Sequence, residues 1–181
     1  MQQIPESQPF SYSRNPMKKT LIIAFALFAN TASADKAPLI ASESRDASLA
    51  YIMTTNMIIN NFGKQCLPLI GRSESPTAYR QAWQDRNAPF VQAAANYMMK
   101  RMEEAFDMGG KALRDSTMHE LVNATGNEST IATQEWLGDT DQESACTSAI
   151  AVIDNGEFDF NDTMPIYPEL EALIAWSKTN P

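Results

Sequence analysis

His119 is the only histidine in this chain of 181 residues, so it limits the chemistry that the sequence can support. A Ser-His-Asp or Cys-His site would need this side chain as its base, and a multi-histidine metal site is excluded. No Gly-x-Ser-x-Gly motif is present, and Met118 and Glu120 flank the histidine. The sequence favours a partly exposed histidine near a helix start, with pH sensing as the functional alternative.

Cys66 and Cys146 are the only cysteines. In an exported protein, an even pair of cysteines is most simply a disulfide, here closing a loop of about 80 residues. Redox-active pairs are usually close in sequence, as in Cys-x-x-Cys. We therefore predict a structural disulfide.

Carboxylates are numerous, and one group lies at a predicted helix start. Asp139, Asp141 and Glu143 are two residues apart, where carboxylates accept bonds from free backbone N–H groups and stabilise the helix dipole. Paired carboxylates could also act as acid and base on cell-wall glycans, but the sequence does not single out a pair. We keep these three as candidate binding residues.

A second acidic group surrounds Gly156 and comprises Asp154, Glu157, Asp159 and Asp162. Such oxygen ligands suit Ca²⁺, but the spacing does not match the EF-hand loop from either Asp139 or Asp154. We assign no metal site and no cofactor. The group joins the candidate binding residues.

Trp83, Arg86 and Asn87 place an aromatic ring, a guanidinium and an amide within one helical turn. Tryptophan and arginine are frequent anchors of protein interfaces, so Trp83 and Arg86 are further candidate binding residues. The structural alternative is a core aromatic residue beside a capping asparagine.

Helical periodicity predicts two helical regions between residues 44 and 110, which contain Cys66 and the cluster of Trp83, Arg86 and Asn87. A stripe over 44–66 contains Ile52, Thr55, Ile59, Phe62 and Cys66, with Ser44 as the expected N-cap and a turn at Pro68 and Gly71. Ser75–Pro76 is expected to start a long seam, which Pro89 kinks or Asn87 divides and Gly109–Gly110 ends. The seam comprises Tyr79, Trp83, Phe90, Ala94, Tyr97, Met98, Met102 and Phe106.

Shorter helices are expected in the second half. Thr117 and Glu120 form a capping-box pattern before Gly126, and another short helix is expected around Ile131, closed by Gly138. A clearer stripe ends at Asn155–Gly156, residues 157–160 are read as a loop, and Pro168 starts a last helix. The clearer stripe comprises Cys146, Ala149, Ile150 and Ile153. The prediction is an all-α, bundle-like domain of five to seven helices with one disulfide.

The N-terminus resembles a secretory signal peptide. Lys18 and Lys19 precede the apolar run 21–28, and Ala32–Ser33–Ala34 provides a cleavage site. We expect a signal peptide over 17–34, an over-long start over 1–16, and a single helical domain over 35–181. The apolar run is about half the ~20 residues needed to span a bilayer, so we expect a periplasmic or secreted protein with no stable membrane insertion after cleavage.

The charge is acidic and unevenly distributed. The pI is near 4.6 and the net charge is −8, which argues against nucleic acid as a partner. Removing residues 1–34 takes away three bases and one acid, which makes the charge −10. Residues 115–181 hold thirteen acids and, as the only Lys or Arg, Lys178. A surface of one sign attracts basic proteins and other cations, although solubility alone could explain it.

Three hypotheses follow from these patterns. The first is a non-catalytic protein that binds a basic protein through its acidic surface, as an inhibitor or immunity protein does. The second is a carboxylate-dependent hydrolase of cell-envelope glycans. The third is an accessory or stress protein of the envelope. No pattern in the sequence indicates an oligomeric state.

Overall fold

Five helices contain most of the residues described in the structure, a computed structural model that describes residues 40–138 and 141–181. They are α1 (Glu43–Leu69), α2 (Pro76–Arg86), α3 (Ala88–Leu137), α4 (Gln142–Asp154) and α5 (Tyr167–Thr179), and no strand forms within the described residues. The prediction of an all-α bundle is confirmed. The expected start over 1–16, the signal peptide over 17–34 and Asp139 lie outside the described residues.

Helix α1 packs against all four other helices and carries much of the core. Its predicted stripe from Ile52 to Cys66 is buried, as expected. The N-cap is Ser42 rather than Ser44, because the extended backbone of Ser42 lets its side chain accept a bond from the Arg45 N–H. The predicted turn at Pro68 is also wrong, since Pro68 lies in the last turn of α1, which ends at Leu69.

Helices α2 and α3 meet at Asn87, which ends one and precedes the other. Ser75 caps α2 as predicted, accepting a bond from the Ala78 N–H at 3.1 Å. Pro89 lies in the first turn of α3, where its missing N–H removes no helical bond. Asn87 therefore divides the predicted seam: its side chain donates to the Trp83 carbonyl in the last turn of α2 but makes no capping bond to the start of α3.

Helix α3 folds back on itself at Gly109–Gly110, where Gly110 has a left-handed φ of 67°. Along a straight helix Met102 and Met118 would be about 24 Å apart, yet both line one groove. The Arg114 guanidinium also lies over the Phe106 ring, at 5.7 Å. The element is thus a helical hairpin of two segments, 88–108 and 111–137.

The prediction of two short helices after Gly109–Gly110 is wrong. Residues 111–137 form one uninterrupted segment that contains Gly126, and Thr117 donates to the Leu113 carbonyl instead of capping a helix. Gly126 costs about 1 kcal/mol within a helix, which burial of the flanking residues offsets. The buried residues of this segment are Thr125, Ser129 and Thr133. Their small side chains let it approach α1, where Asn61 donates to the Ser129 hydroxyl.

The disulfide between Cys66 and Cys146 joins α1 to α4, as predicted. The predicted stripe of α4 is buried, and Gly156 follows the helix with a left-handed φ of 79°. Residues 157–160 form a loop that buries Phe158 and Phe160, and α5 has Pro168 in its first turn. None of the described helices has an apolar stretch long enough to cross a bilayer.

Candidate functional site

His119 lies on the exposed side of the second segment of α3, well inside the helix rather than at its start. Among the described residues its one side-chain hydrogen bond joins Nε2 to the Asn123 amide at 2.9 Å. No described serine, threonine or cysteine side chain hydrogen-bonds to the imidazole, and Ser116, one helical turn away, donates to Glu120 instead. The described contacts therefore give His119 no catalytic partner.

A cleft of about 270 Å³ between α2 and the end of α4 brings the carboxylates of Glu74 and Asp154 together. Arg72 lies between them, donating to Asp154 at 2.5 Å and to Glu74, and the Tyr79 hydroxyl donates to Asp154 at 3.1 Å. The guanidinium occupies the space that a glycosidic oxygen and a water would need between two acid/base carboxylates.

The same contacts hold the protons of this cleft in place. Hydrogen bonds from Arg72 to Glu74 and Asp154 raise the pKa of the Arg72 guanidinium. Burial, and then the charge of Asp154, raise the pKa of the Tyr79 phenol above 10.0. Neither group is placed to exchange a proton near neutral pH, so the cleft is a structural ion-pair network.

The cluster of Trp83, Arg86 and Asn87 binds the loop after α4. Arg86 donates through Nε to Asp159 at 2.8 Å and through Nη2 to the Ile153 carbonyl at 3.1 Å. The Trp83 indole is fully buried and donates to the Phe158 carbonyl at 3.2 Å. These bonds correspond to the structural alternative for the cluster, and they leave the Trp83 side chain no exposed surface for a partner.

The two acidic groups occupy different settings. Asp141 caps α4 by accepting a bond from the Ser144 N–H, and Glu143 lies exposed in the first turn of that helix. In the second group, Asp154 and Asp159 are in ion pairs. The other two, Glu157 and Asp162, are exposed. Among the described residues, no three His, Cys, Asp or Glu side chains converge to hold a metal ion.

A further acidic row follows the exposed side of the second segment of α3. Glu120, Glu128 and Glu135 lie within a quarter of the helix circumference, on the side opposite the buried Ser129. The row is about 22 Å long at the rise of an α-helix. We call these three residues the α3 acidic row.

The structure also contains a methionine-rich groove that the sequence analysis did not identify. Its volume is about 530 Å³, and it lies between the two segments of α3 beside the Gly109–Gly110 turn. Its lining comprises Met98, Met99, Met102, Glu103, Phe106, Asp107, Arg114 and Met118. Phe106, which the periodicity placed on a buried seam, is 49% exposed.

A signal for this groove is present in the sequence. Residues 102 and 118, and residues 106 and 114, are symmetric about position 110, which is the pattern of a hairpin that folds at the glycine pair. Five methionines fall within 98–118, on both sides of that turn. Periodicity alone assigns Met98 and Met102 to a core, because it does not reveal whether another helix covers them.

The described residues show two exposed features, the α3 acidic row and the methionine-rich groove. In the cleft between α2 and α4, Glu74 and Asp154 are both in ion pairs with Arg72. No family model, curated protein or solved structure matches the chain, so its function has to be argued from these charges and contacts.

Proposed function

We propose that the protein binds a basic protein, without catalysis, through the carboxylates of its C-terminal half. Twelve of the thirteen acids in residues 115–181 are described, and three of these, Asp115, Asp154 and Asp159, are in ion pairs. The other nine are all exposed, and the described residues give them no ion pair. This surplus of unpaired negative charge is the observation that carries the proposal.

The charges are suited to selecting and steering a partner. Exposed carboxylates that form no ion pair with the described residues remain available to a cation on another molecule. Such charges mainly speed association and reject partners of the same sign, and their effect falls as salt screens them. An inhibitor or immunity protein acting on a basic enzyme would use a surface of this kind.

Capture from envelope extract, at low salt and at roughly 0.3 M salt, tests the proposal. We expect the protein to retain a basic partner at low salt and to release it at the higher concentration. Glu120→Gln/Glu128→Gln/Glu135→Gln should weaken the affinity for the purified partner by about tenfold or more, because it removes the α3 acidic row.

The control is Glu43→Gln/Asp85→Asn, which removes two exposed charges of the N-terminal half that have no ion pair among the described residues. It should leave the affinity within about twofold of the parent protein. Equal weakening per charge removed in both variants would show that only total charge matters. A complex that is insensitive to salt would contradict the proposal.

A further inference from the structure

We propose that the methionine-rich groove binds a soft monovalent cation, Cu(I) or Ag(I), through methionine thioethers. Met98, Met99 and Met102 come from the first segment of α3 and Met118 comes from the second, and all four line the same groove. Thioether sulfur is a soft ligand that selects Cu(I) over hard cations such as Mg²⁺ and Ca²⁺.

The spacing of the methionines allows several sulfurs to reach one ion. Met98 and Met102 are four residues apart and Met99 and Met102 are three apart, so their Cβ atoms are neighbours on one helix, about 5–6 Å apart. The hairpin brings Met118 to the groove from the opposite segment. Three rotatable bonds in each side chain let the sulfurs adjust to a small ion.

The groove is open to solvent on one side and closed on the other. Met99 is 54% exposed and Met98 and Met118 are half-buried, whereas Met102 is 9% exposed. An ion can therefore enter without unfolding of the core, and Met102 provides a donor at the base of the groove. Loss of hydration at such a site favours a weakly hydrated, soft cation over a strongly hydrated one.

The charges beside the sulfurs favour a cation. Glu103 and Asp107 line the groove with one base, Arg114. Arg114 pairs with Asp115 at 3.0 Å and Glu103 pairs with Lys100 at 3.6 Å, whereas the described residues give Asp107 no ion pair. Because thioethers are neutral, the Asp107 carboxylate would offset the charge of the bound ion. Methionine sulfur also needs no deprotonation, so we expect binding that is independent of pH near neutrality.

No thiolate within the described residues competes with these thioethers. Cys66 and Cys146 form the disulfide, both are buried, and the described chain has no free cysteine. The exposed His119 is the other donor of intermediate softness in this region of α3. It therefore has to be distinguished from the groove in any binding experiment.

Titration of the oxidised full chain with Ag(I), in a buffer free of chloride, tests the site. With isotopic labels in the methionine ε-methyl groups, we expect one equivalent of Ag(I) to shift the resonances of Met98, Met102 and Met118. The resonances of three methionines outside the groove and far from it in sequence, Met53, Met57 and Met164, should stay in place. Absence of shifts in the groove methyl groups, or shifts confined to methionines outside it, would overturn the proposal.

Variants then assign the affinity to sulfur. Met98→Leu/Met102→Leu/Met118→Leu keeps the apolar volume and should weaken Ag(I) binding at least about tenfold, whereas the control Met53→Leu/Met57→Leu/Met164→Leu should bind as the parent protein does. Equal weakening in both variants, or binding lost only in His119→Ala, would count against the groove. The methyl resonances of the unmodified protein give an answer even where a variant folds poorly.

Repeating the titration anaerobically with Cu(I), in competition with a coloured chelator, distinguishes the two cations. Tight Cu(I) binding lost in the groove variant supports a copper site, and binding of Ag(I) alone would restrict the site to silver. Failure of this proposal is separable from failure of the proposed function, because the leucine variant keeps every carboxylate of the C-terminal half.

Discussion

At Asn87, one buried side chain satisfies polar groups on two separate parts of the chain. Its amide donates to the Trp83 carbonyl at 2.9 Å and to Asp159 at 3.0 Å, and its oxygen accepts the Phe160 N–H at 2.8 Å. Replacing it with alanine would leave a buried backbone donor without a partner. We expect Asn87→Ala to lower the free energy of unfolding by about 2–3 kcal/mol in urea denaturation.

Asn123→Ala is the control for that change, since Asn123 is exposed on α3 and bonds only to His119 among the described side chains. Its effect should stay within about 0.5 kcal/mol, as for most surface substitutions. If the two alanine variants had the same stability, Asn87 would not be holding the loop. The loop would then depend on the bonds from Arg86 and Trp83 and on the burial of Phe158 and Phe160.

The sequence predicts the chemistry of this cluster but not its partners. Trp83, Arg86 and Asn87 are adjacent along α2, so one turn of helix brings them together, and local spacing is enough to recognise them. Asp159 and Phe160 are more than seventy residues away and are brought near only by the packing of α2 against the loop after α4. Periodicity carries no information about such pairings.

Whether a helix boundary can be predicted from the sequence depends on whether local backbone preference or tertiary packing determines it. The break at Gly109–Gly110 is predictable, because Gly110 adopts a backbone conformation that other residues rarely occupy. Gly126 is not a break, because burial of the adjacent Thr125 and Ser129 holds the segment helical. Propensity is therefore a weak guide where a helix face is buried. The capping-box pattern at Thr117 failed because the helical segment already begins at residue 111, so that the Thr117 hydroxyl donates to the Leu113 carbonyl.

The link between α1 and α4 gives a prediction at this scale. The disulfide joins residues 80 apart in sequence, and closing a loop of that length in the unfolded chain stabilises the folded state by about 4 kcal/mol. Cys66→Ala/Cys146→Ala should lower the free energy of unfolding by that order. Alanine is preferred to serine here because both sites are buried and a hydroxyl would need a partner.

Urea denaturation with and without a thiol reductant measures this effect. The parent protein should lose stability when the reductant is present, and the alanine variant should give the same curve in both conditions. A transition of the alanine variant that matches that of the oxidised parent protein would mean that the bridge contributes no stability. Packing of α4 against α1 would then be enough to hold α4 in place without the disulfide.

For the whole molecule, buried phenols couple the fold to alkaline pH. Burial raises the pKa of Tyr51, Tyr79 and Tyr97 above 10.0, and the nearby carboxylates Asp154 and Asp46 add to the shift at Tyr79 and Tyr97. Above pH ~10 the unfolded chain has released protons that the folded chain still holds. The stability these residues contribute is thus fully present below pH ~10 and decreases as the pH rises.

Each of these tyrosines lowers the free energy of unfolding by up to about 1.4 kcal/mol per pH unit above pH ~10. This is the slope expected when the folded chain holds one proton more than the unfolded chain. Tyr79→Phe loses the hydrogen bond to Asp154, so at pH ~9 it should be about 1 kcal/mol less stable than the parent protein. Its curve of unfolding free energy against pH should then be shallower, and the difference should shrink as the pH approaches ~11. Urea denaturation at several alkaline pH values measures both curves. Parallel curves would show that Tyr79 does not carry the coupling, whereas convergence would connect the ion-pair network between α2 and α4 to the stability of the entire bundle.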